Sequence, residues 1–435
     1  MFLQRFSPKF LARKLGRVPA RVRSSLSEYR LFTYIAILGP GIIAANAGND
    51  ASGIATYSSV GAAYGYSLLW AFLPMVVSLI VVQEMCVRMG VVTGQGLADL
   101  IREQFGVRWT AFVMLALLLA NTGVIISEFV GIAQASELLG VSRFIAVPLA
   151  SGLIWWLVVR GTPKSVERVF LTMSLVFLSY VFAAFLAKPD WAAAAENVVS
   201  PQIHYDTAYL FTMIALIGTT ITPFMQVFVQ SSVVEKGLDA DDLPLARIDV
   251  IVGTTFAVAI GAFIVVSTAA TLHKTGIHEI ESAATAAHAL APLVGIYAEY
   301  LFSIGLFGAA MLAMGVLPLA TAYSVSEALG FEKGISRSFR EAPIFLGIFT
   351  ALILTGSIVA MIPGIPQIKL LIFTQFINGL LLPIILIAIV RLASNPEIMG
   401  KYRNTRLFNI VAYSIAIAIS LLSLMLIAKT IADMF

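Results

Sequence analysis

Eleven apolar runs dominate this chain, and they restrict it to one kind of fold. They cover roughly residues 31–63, 67–89, 109–135, 143–162, 167–187, 207–235, 247–272, 295–325, 342–363, 367–391 and 406–428. About 20 apolar residues suffice to cross a bilayer as an α-helix. Of the 435 residues, 59% are hydrophobic and only 12% charged, with a mean hydropathy of +0.92. A soluble domain cannot hide that much apolar surface, so the expected fold is an all-α polytopic membrane protein of about eleven spans.

The net charge of +4 is placed rather than spread. Arg5, Lys9, Arg13, Lys14, Arg17, Arg21, Arg23 and Arg30 all precede the first run. Residues 1–30 lack an apolar core with a cleavage site, so they read as a basic cytoplasmic arm rather than a signal peptide or a nucleic-acid-binding tail. Loops carrying Arg102 and Arg108, Arg160 and Lys164, Lys333 and Arg337, and Lys401 and Arg403 alternate with loops carrying only Arg143, Lys188, Lys274 or Lys369. The bias puts the amino terminus inside and the carboxyl terminus outside, in a multi-pass plasma-membrane protein. Cys86 is the only cysteine, which excludes an intrachain disulfide and a cysteine-cluster metal site. His204, His273, His278 and His288 fall in outer segments, where His273 and His278 read as solvated side chains before they read as a zinc site.

Two spans are interrupted. The first holds Ala44–Ile54, AANAGNDASGI, with Asp50 at its centre and glycines 48 and 53 on either side. A carboxylate at mid-membrane costs at least a few kcal/mol, and glycine lowers helix propensity. The sixth holds Ile217–Val227, IGTTITPFMQV, with Pro223 inside it; proline removes a backbone donor and clashes with the preceding turn. Two broken helices five spans apart predict a five-plus-five inverted repeat, about 31–187 and 207–391, with residues 392–435 adding a loop and an eleventh helix. Backbone groups freed at such breaks need partners, which an ion or substrate can supply.

Four other positions carry intramembrane polarity. Glu84 and Glu128 are the remaining deep carboxylates, each readable as a ligand or as a strut between helices. Gln375 and Asn378 lie three apart, on one helical face.

The motifs are similar to those of a known family. Gly39-Pro40-Gly41 leads into Asp50-Ala51-Ser52-Gly53, followed by GYSLLW at residues 65–70 and RMGVVTGQGLADL at residues 88–100. This order resembles the NRAMP divalent-metal transporters, over about residues 38–391. The resemblance implies a LeuT-type fold and a transport function, with a divalent ion held between the two breaks. It implies Asp50, Ser52, Gly53, Thr219, Thr222 and Gln375 as the metal site, with Thr220, Gln226 and Asn378 nearby.

The departures from the family pattern define the substrate expected. The family's asparagine ligand is Gly53 here, and its methionine–proline–histidine break reads Thr222-Pro223-Phe224. Its further proton-route positions read Val229 and Ile125, leaving Glu128 alone. A thioether favours Mn²⁺ or Fe²⁺ over Mg²⁺, so its loss weakens that choice; Mg²⁺ prefers one or two carboxylates plus retained waters. The pattern resembles the NRAMP-related magnesium transporters. The expectation is a Mg²⁺ carrier, also passing Mn²⁺, monomeric, with no resident cofactor and no proton coupling. Restoring methionine at 222 and asparagine at 53 is expected to favour Mn²⁺. The rivals are a proton-coupled Mn²⁺/Fe²⁺ carrier, a Na⁺-coupled solute carrier of LeuT-type fold and a gated channel. An enzyme is the weakest reading, since no nucleophile–base pair or phosphate loop stands out.

Overall fold

A computed structural model describes residues 39–280, 298–335, 337–363 and 367–432. The basic arm, the start of the first run and His288 lie outside the described residues. The elements in chain order are α1 (Pro40–Asn46), α2 (Ala51–Tyr64), α3 (Phe72–Thr93), α4 (Leu97–Phe105), α5 (Val107–Leu138), α6 (Arg143–Arg160), α7 (Pro163–Met173), α8 (Leu178–Leu186), α9 (Trp191–Val199), α10 (Thr207–Thr220), α11 (Pro223–Glu235), α12 (Leu243–Thr271), α13 (Ala298–Leu329), α14 (Pro343–Ala360), α15 (Gln367–Ser394), α16 (Pro396–Met399) and α17 (Arg406–Ala432). Ten helical stretches among the described residues are long and apolar enough to cross a membrane. The interrupted pair α1 and α2 accounts for the first expected span. Three short helices, α4, α9 and α16, were not legible as apolar runs; α4 is amphipathic and buries Leu97, Ala98, Leu100 and Ile101.

The contacts obey the symmetry of an inverted repeat. Spans are numbered here by the order of the apolar runs. Span one packs on span seven (α1 and α2 on α12), and span six packs on span two (α11 on α3). Span three meets span ten (α5 on α15), and span eight meets span five (α13 on α7 and the turn after it). Spans three and eight, α5 and α13, form the central pair that the exchange maps onto itself. Adding five to each span number therefore returns the same neighbours, as two copies of one unit related by an axis in the membrane plane require.

Burial separates the core from the lipid face. The window covering the second broken span is 89% buried, whereas that of α17 is 28% buried. Leu149, Trp156, Phe182, Leu354, Ile417 and Leu424 are exposed on outer helices, and apolar side chains there are expected where lipid is the solvent. Trp109, Trp156 and Trp191 are exposed, consistent with interfacial anchors.

Close crossings set the position of the breaks. A methyl group at Gly218 would overlap the carbonyl of Gln375 and the backbone of Gly379, so α10 and α15 touch main chain to main chain. Gly131 of α5 sits as tightly against Ala51. These two contacts bring α15 and α5 against the broken helices. Gly39, at φ 144°, turns the chain into α1, where Pro40 occupies the first helical position. The amides of Gly39, Gly41 and Ile42 all donate to Asp249, at 3.0, 2.6 and 3.4 Å.

Candidate metal site at the paired helix breaks

The first break spans Ala47 to Asp50, between α1 and α2, and the second spans Ile221 and Thr222, between α10 and α11. They lie side by side. The hydroxyl of Thr219 is 3.5 Å from the carbonyl of Gly48, and the Thr219 carbonyl also faces Gly48. Asp50 is the N-cap of α2 and accepts from the Gly53 amide at 2.5 Å. Gln375, on α15, turns its amide nitrogen to both Asp50 oxygens at 3.3 Å. Its own oxygen accepts from Asn378 at 3.0 Å. Asp50, Thr219, Thr222, Gln375 and Asn378 are all fully buried, so this conformation closes the break from both sides.

Glu128 completes the start of α2. It accepts from the amides of Ala51 and Ser52, at 2.8 and 3.2 Å, and from the Ser52 hydroxyl at 2.7 Å. The three exposed amides of the first turn thus go to two carboxylates, the arrangement a helix N-terminus favours. That occupancy argues against the Na⁺-coupled solute carrier in the form where a solute carboxylate sits on this helix N-terminus, because the amides it would bind are already engaged.

The residues marked in the sequence divide into two groups. Asp50, Gly53, Thr219, Gln375 and Asn378 come together around the breaks. Ser52 points instead at Glu128 and Ser127, as a strut between α2 and α5. Thr220 donates to the Leu216 carbonyl and meets Tyr57 at 3.1 Å, joining α10 to α2. Glu84 lies between Arg88, at 3.0 Å, and Arg247, at 2.8 Å, and is a structural ion-pair partner. Both His273 and His278 place Nδ1 on the Ala62 carbonyl, at 2.8 and 3.2 Å. They fasten the C-terminal end of α2, and among the described residues no group of three His, Cys, Asp or Glu is set to hold a metal.

Because Ser52 is turned to Glu128, Ser52→Ala is expected to leave the rate of divalent-cation uptake within about threefold of wild type. Its cost is about 2–4 kcal/mol of stability, because the hydroxyl bonds both the Glu128 carboxylate and the Ser127 hydroxyl, worth about 1.5–3 and about 1 kcal/mol respectively. Uptake kinetics beside a thermal-melting curve check this, and a tenfold rise in half-saturation would make Ser52 a ligand instead.

Three residues were missed. Asp249, in the second turn of α12, and Glu327, in the last turn of α13, are buried carboxylates; Glu327 binds Ser231, the Ala98 amide and Lys333. Met225 packs its methyl against Gly48 and accepts from Gln83 on sulfur at 3.9 Å. Its signal was present in the spacing, three residues after Thr222 and therefore on the same helical face. Gly53 also carries more than missing ligation. A Cβ there would lie 2.6 Å from the Gly48 carbonyl and 2.8 Å from the Thr219 hydroxyl, too close for any side chain without a shift.

Paired broken helices around a buried polar centre, held by an inverted repeat, define a membrane carrier of the LeuT-type fold. The chain belongs to the NRAMP family: residues 41–429 match the family described as natural resistance-associated macrophage protein-like. It is 26% identical over 415 residues to a protein of Deinococcus radiodurans named divalent metal cation transporter MntH, covering 93% of this chain and 92% of that one. A Ralstonia nicotianae protein of the same name is 28% identical over 425 residues, covering 91% of each. Among solved structures, the Eremococcus coleocola manganese transporter superposes with a TM-score of 0.75 at 18% identity, covering 93% of this chain and 88% of that one. Mhp1, a nucleobase-cation-symport-1 family transporter, superposes with a TM-score of 0.55 at 15% identity, covering 91% and 90%. The last two likenesses concern the fold.

Proposed function

We propose that this protein is a divalent metal cation transporter whose cargo is Mg²⁺, with Mn²⁺ also carried, working by alternating access without proton coupling. The naming of its relatives supports the divalent cation. The observation that carries the choice of Mg²⁺ is the donor set. The residues gathered on Asp50 offer oxygen: the Thr219 hydroxyl and carbonyl, the Gly48 carbonyl and the Gln375 amide. Gln375 can serve an unloaded and a loaded site alike. Its nitrogen donates to Asp50 as seen, and half a turn of the amide presents its oxygen to a cation. Hard oxygen donors with one or two carboxylates suit a cation that keeps part of its water.

The absence of proton coupling rests on Phe224, Val229 and Ile125, which are apolar and fully buried. Glu128 is held by three donors at the α2 terminus, which suits a cap. Transport then runs down the gradient, and an inside-negative potential adds about 4.6 kcal/mol per 100 mV for a divalent ion, twice the unit-charge figure. We place the protein in the plasma membrane as a monomer, with its amino terminus inside and its carboxyl terminus outside.

Met225 favours a second reading. A thioether one turn from Thr222 could replace the missing soft ligand if its sulfur left Gln83, which would suit Mn²⁺ or Fe²⁺. Purified protein in liposomes loaded with Mg²⁺ and pH indicators separates the two. Mg²⁺ entry without acidification is the expected result. Mn²⁺ entry with acidification and no Mg²⁺ flux would overturn it, and loss of that Mn²⁺ flux in Met225→Leu would identify the sulfur responsible.

A further inference from the structure

Buried polar oxygens without a hydrogen-bond partner occur singly, as at Asn46 and Asn378, or as widely spaced pairs, as at Asn121 and Gln134 of α5 and Ser303 and Ser326 of α13. On α11 and its N-cap they occur three times on one face. The Thr222 hydroxyl, the Gln226 amide oxygen and the Gln230 amide oxygen all lack a partner, and all three residues are fully buried. Positions i, i+4 and i+8 stack on successive turns, about 6 Å apart along the axis. The amide orientations are fixed by their nitrogens. Gln226 donates to the Thr222 carbonyl at 3.4 Å, and Gln230 donates to the Gln95 carbonyl at 3.0 Å. The two free amide oxygens are therefore acceptors, which call for a cation or a water donor and repel an anion, and the Thr222 hydroxyl can turn its lone pairs the same way.

The row has a direction. It begins at the second break, beside the Asp50 site, and ends at the turn between α3 and α4, where Gln95 is half-buried and bonds the exposed Glu103. Gly90 of α3 faces Gln230, so the two helices close over the row in this conformation. Each unpartnered buried oxygen costs about 1–3 kcal/mol. Three in register are an expensive way to join α11 to α3, which apolar side chains would join at no such cost.

We propose that Thr222, Gln226 and Gln230 form a ladder of neutral oxygen subsites that passes a partly hydrated divalent cation from Asp50 to the cytoplasmic side when α11 and α3 part. Neutral acceptors hold such an ion weakly enough to release it, the condition for transit rather than trapping. The ladder rests on reading Asp50 as the central cation site.

The test uses the full-length protein in liposomes, with Mg²⁺ and Mn²⁺ uptake followed in parallel, and free Mn²⁺ measured by its paramagnetic resonance signal to report binding. Gln226→Leu/Gln230→Leu is expected to bind Mn²⁺ within about twofold of wild type. Its maximal uptake falls about tenfold at unchanged half-saturation, and Gln226→Asn/Gln230→Asn restores uptake to within about threefold. Full-rate uptake by the leucine variant overturns the ladder. So does a loss that follows a lowered melting temperature and is not rescued by asparagine. The central-site reading fails separately, if Asp50→Asn still binds and carries the ion. Transport of Mn²⁺ alone removes the choice of Mg²⁺ and leaves the ladder readable in Mn²⁺.

Discussion

Asp50→Asn is expected to lower divalent-cation uptake by more than about 100-fold without unfolding the protein. Asparagine caps helices about as well as aspartate, so the bond to the Gly53 amide survives. The new amide also fits opposite Gln375, which offers either a donor or an acceptor. What disappears is the charge. Removing one member of a buried ionic pair costs about 3–5 kcal/mol, and each 1.4 kcal/mol is tenfold. Initial uptake rates in proteoliposomes, beside a melting curve, separate charge from fold. Uptake within threefold of wild type would show that Asp50 is not a ligand.

The second large effect concerns selectivity, and here the structure divides the two family departures. Thr222 is fully buried with its hydroxyl unpartnered. Thr222→Met exchanges a hard oxygen for a soft sulfur at the start of α11, and is expected to raise the ratio of Mn²⁺ to Mg²⁺ uptake at least about tenfold. Competition assays with Mg²⁺ and Mn²⁺ together measure it, and an unchanged ratio would remove Thr222 from the site. Gly53→Asn does not act as sequence comparison alone suggests. Its Cβ would meet the Gly48 carbonyl at 2.6 Å, so the first break must shift to admit it. The expected result is reduced uptake of both ions, not a switch of preference.

Much of the fold was legible because lipid forces a simple code. An apolar run is a helix when water cannot satisfy its backbone, and Gly48, Asp50 and Pro223 mark the interruptions. The observed helix of Thr207–Thr220 and Pro223–Glu235 matches the expected run of 207–235 at both ends. The direction of individual side chains was less legible. Ser52 stands two residues from Asp50 yet serves Glu128, because successive residues of a helix face different neighbours. Glu84 could not be told from a ligand until Arg88 and Arg247 were seen beside it. Glu327 escaped notice because it falls just past the expected run of 295–325, where a carboxylate looks like a loop residue, and Asp249 because it stands at the very start of the run of 247–272. Met225 was hidden by a shift of one turn from the position where the family keeps its sulfur.

The amide of Gln375 has one more consequence. A carrier that delivers its ion inside must bring its empty site back across the membrane, carboxylate included. A bare buried carboxylate would make that return stroke slow and would tie the protein to one-for-one exchange, with a second ion needed for each reset. Gln375 donates to Asp50 at 3.3 Å and is itself steadied by Asn378. On the proposed site assignment, a departing ion is replaced by a dipole already in place. If Asp50 is the cation site proposed above, such a carrier resets empty and takes up its cargo without trading one ion for another.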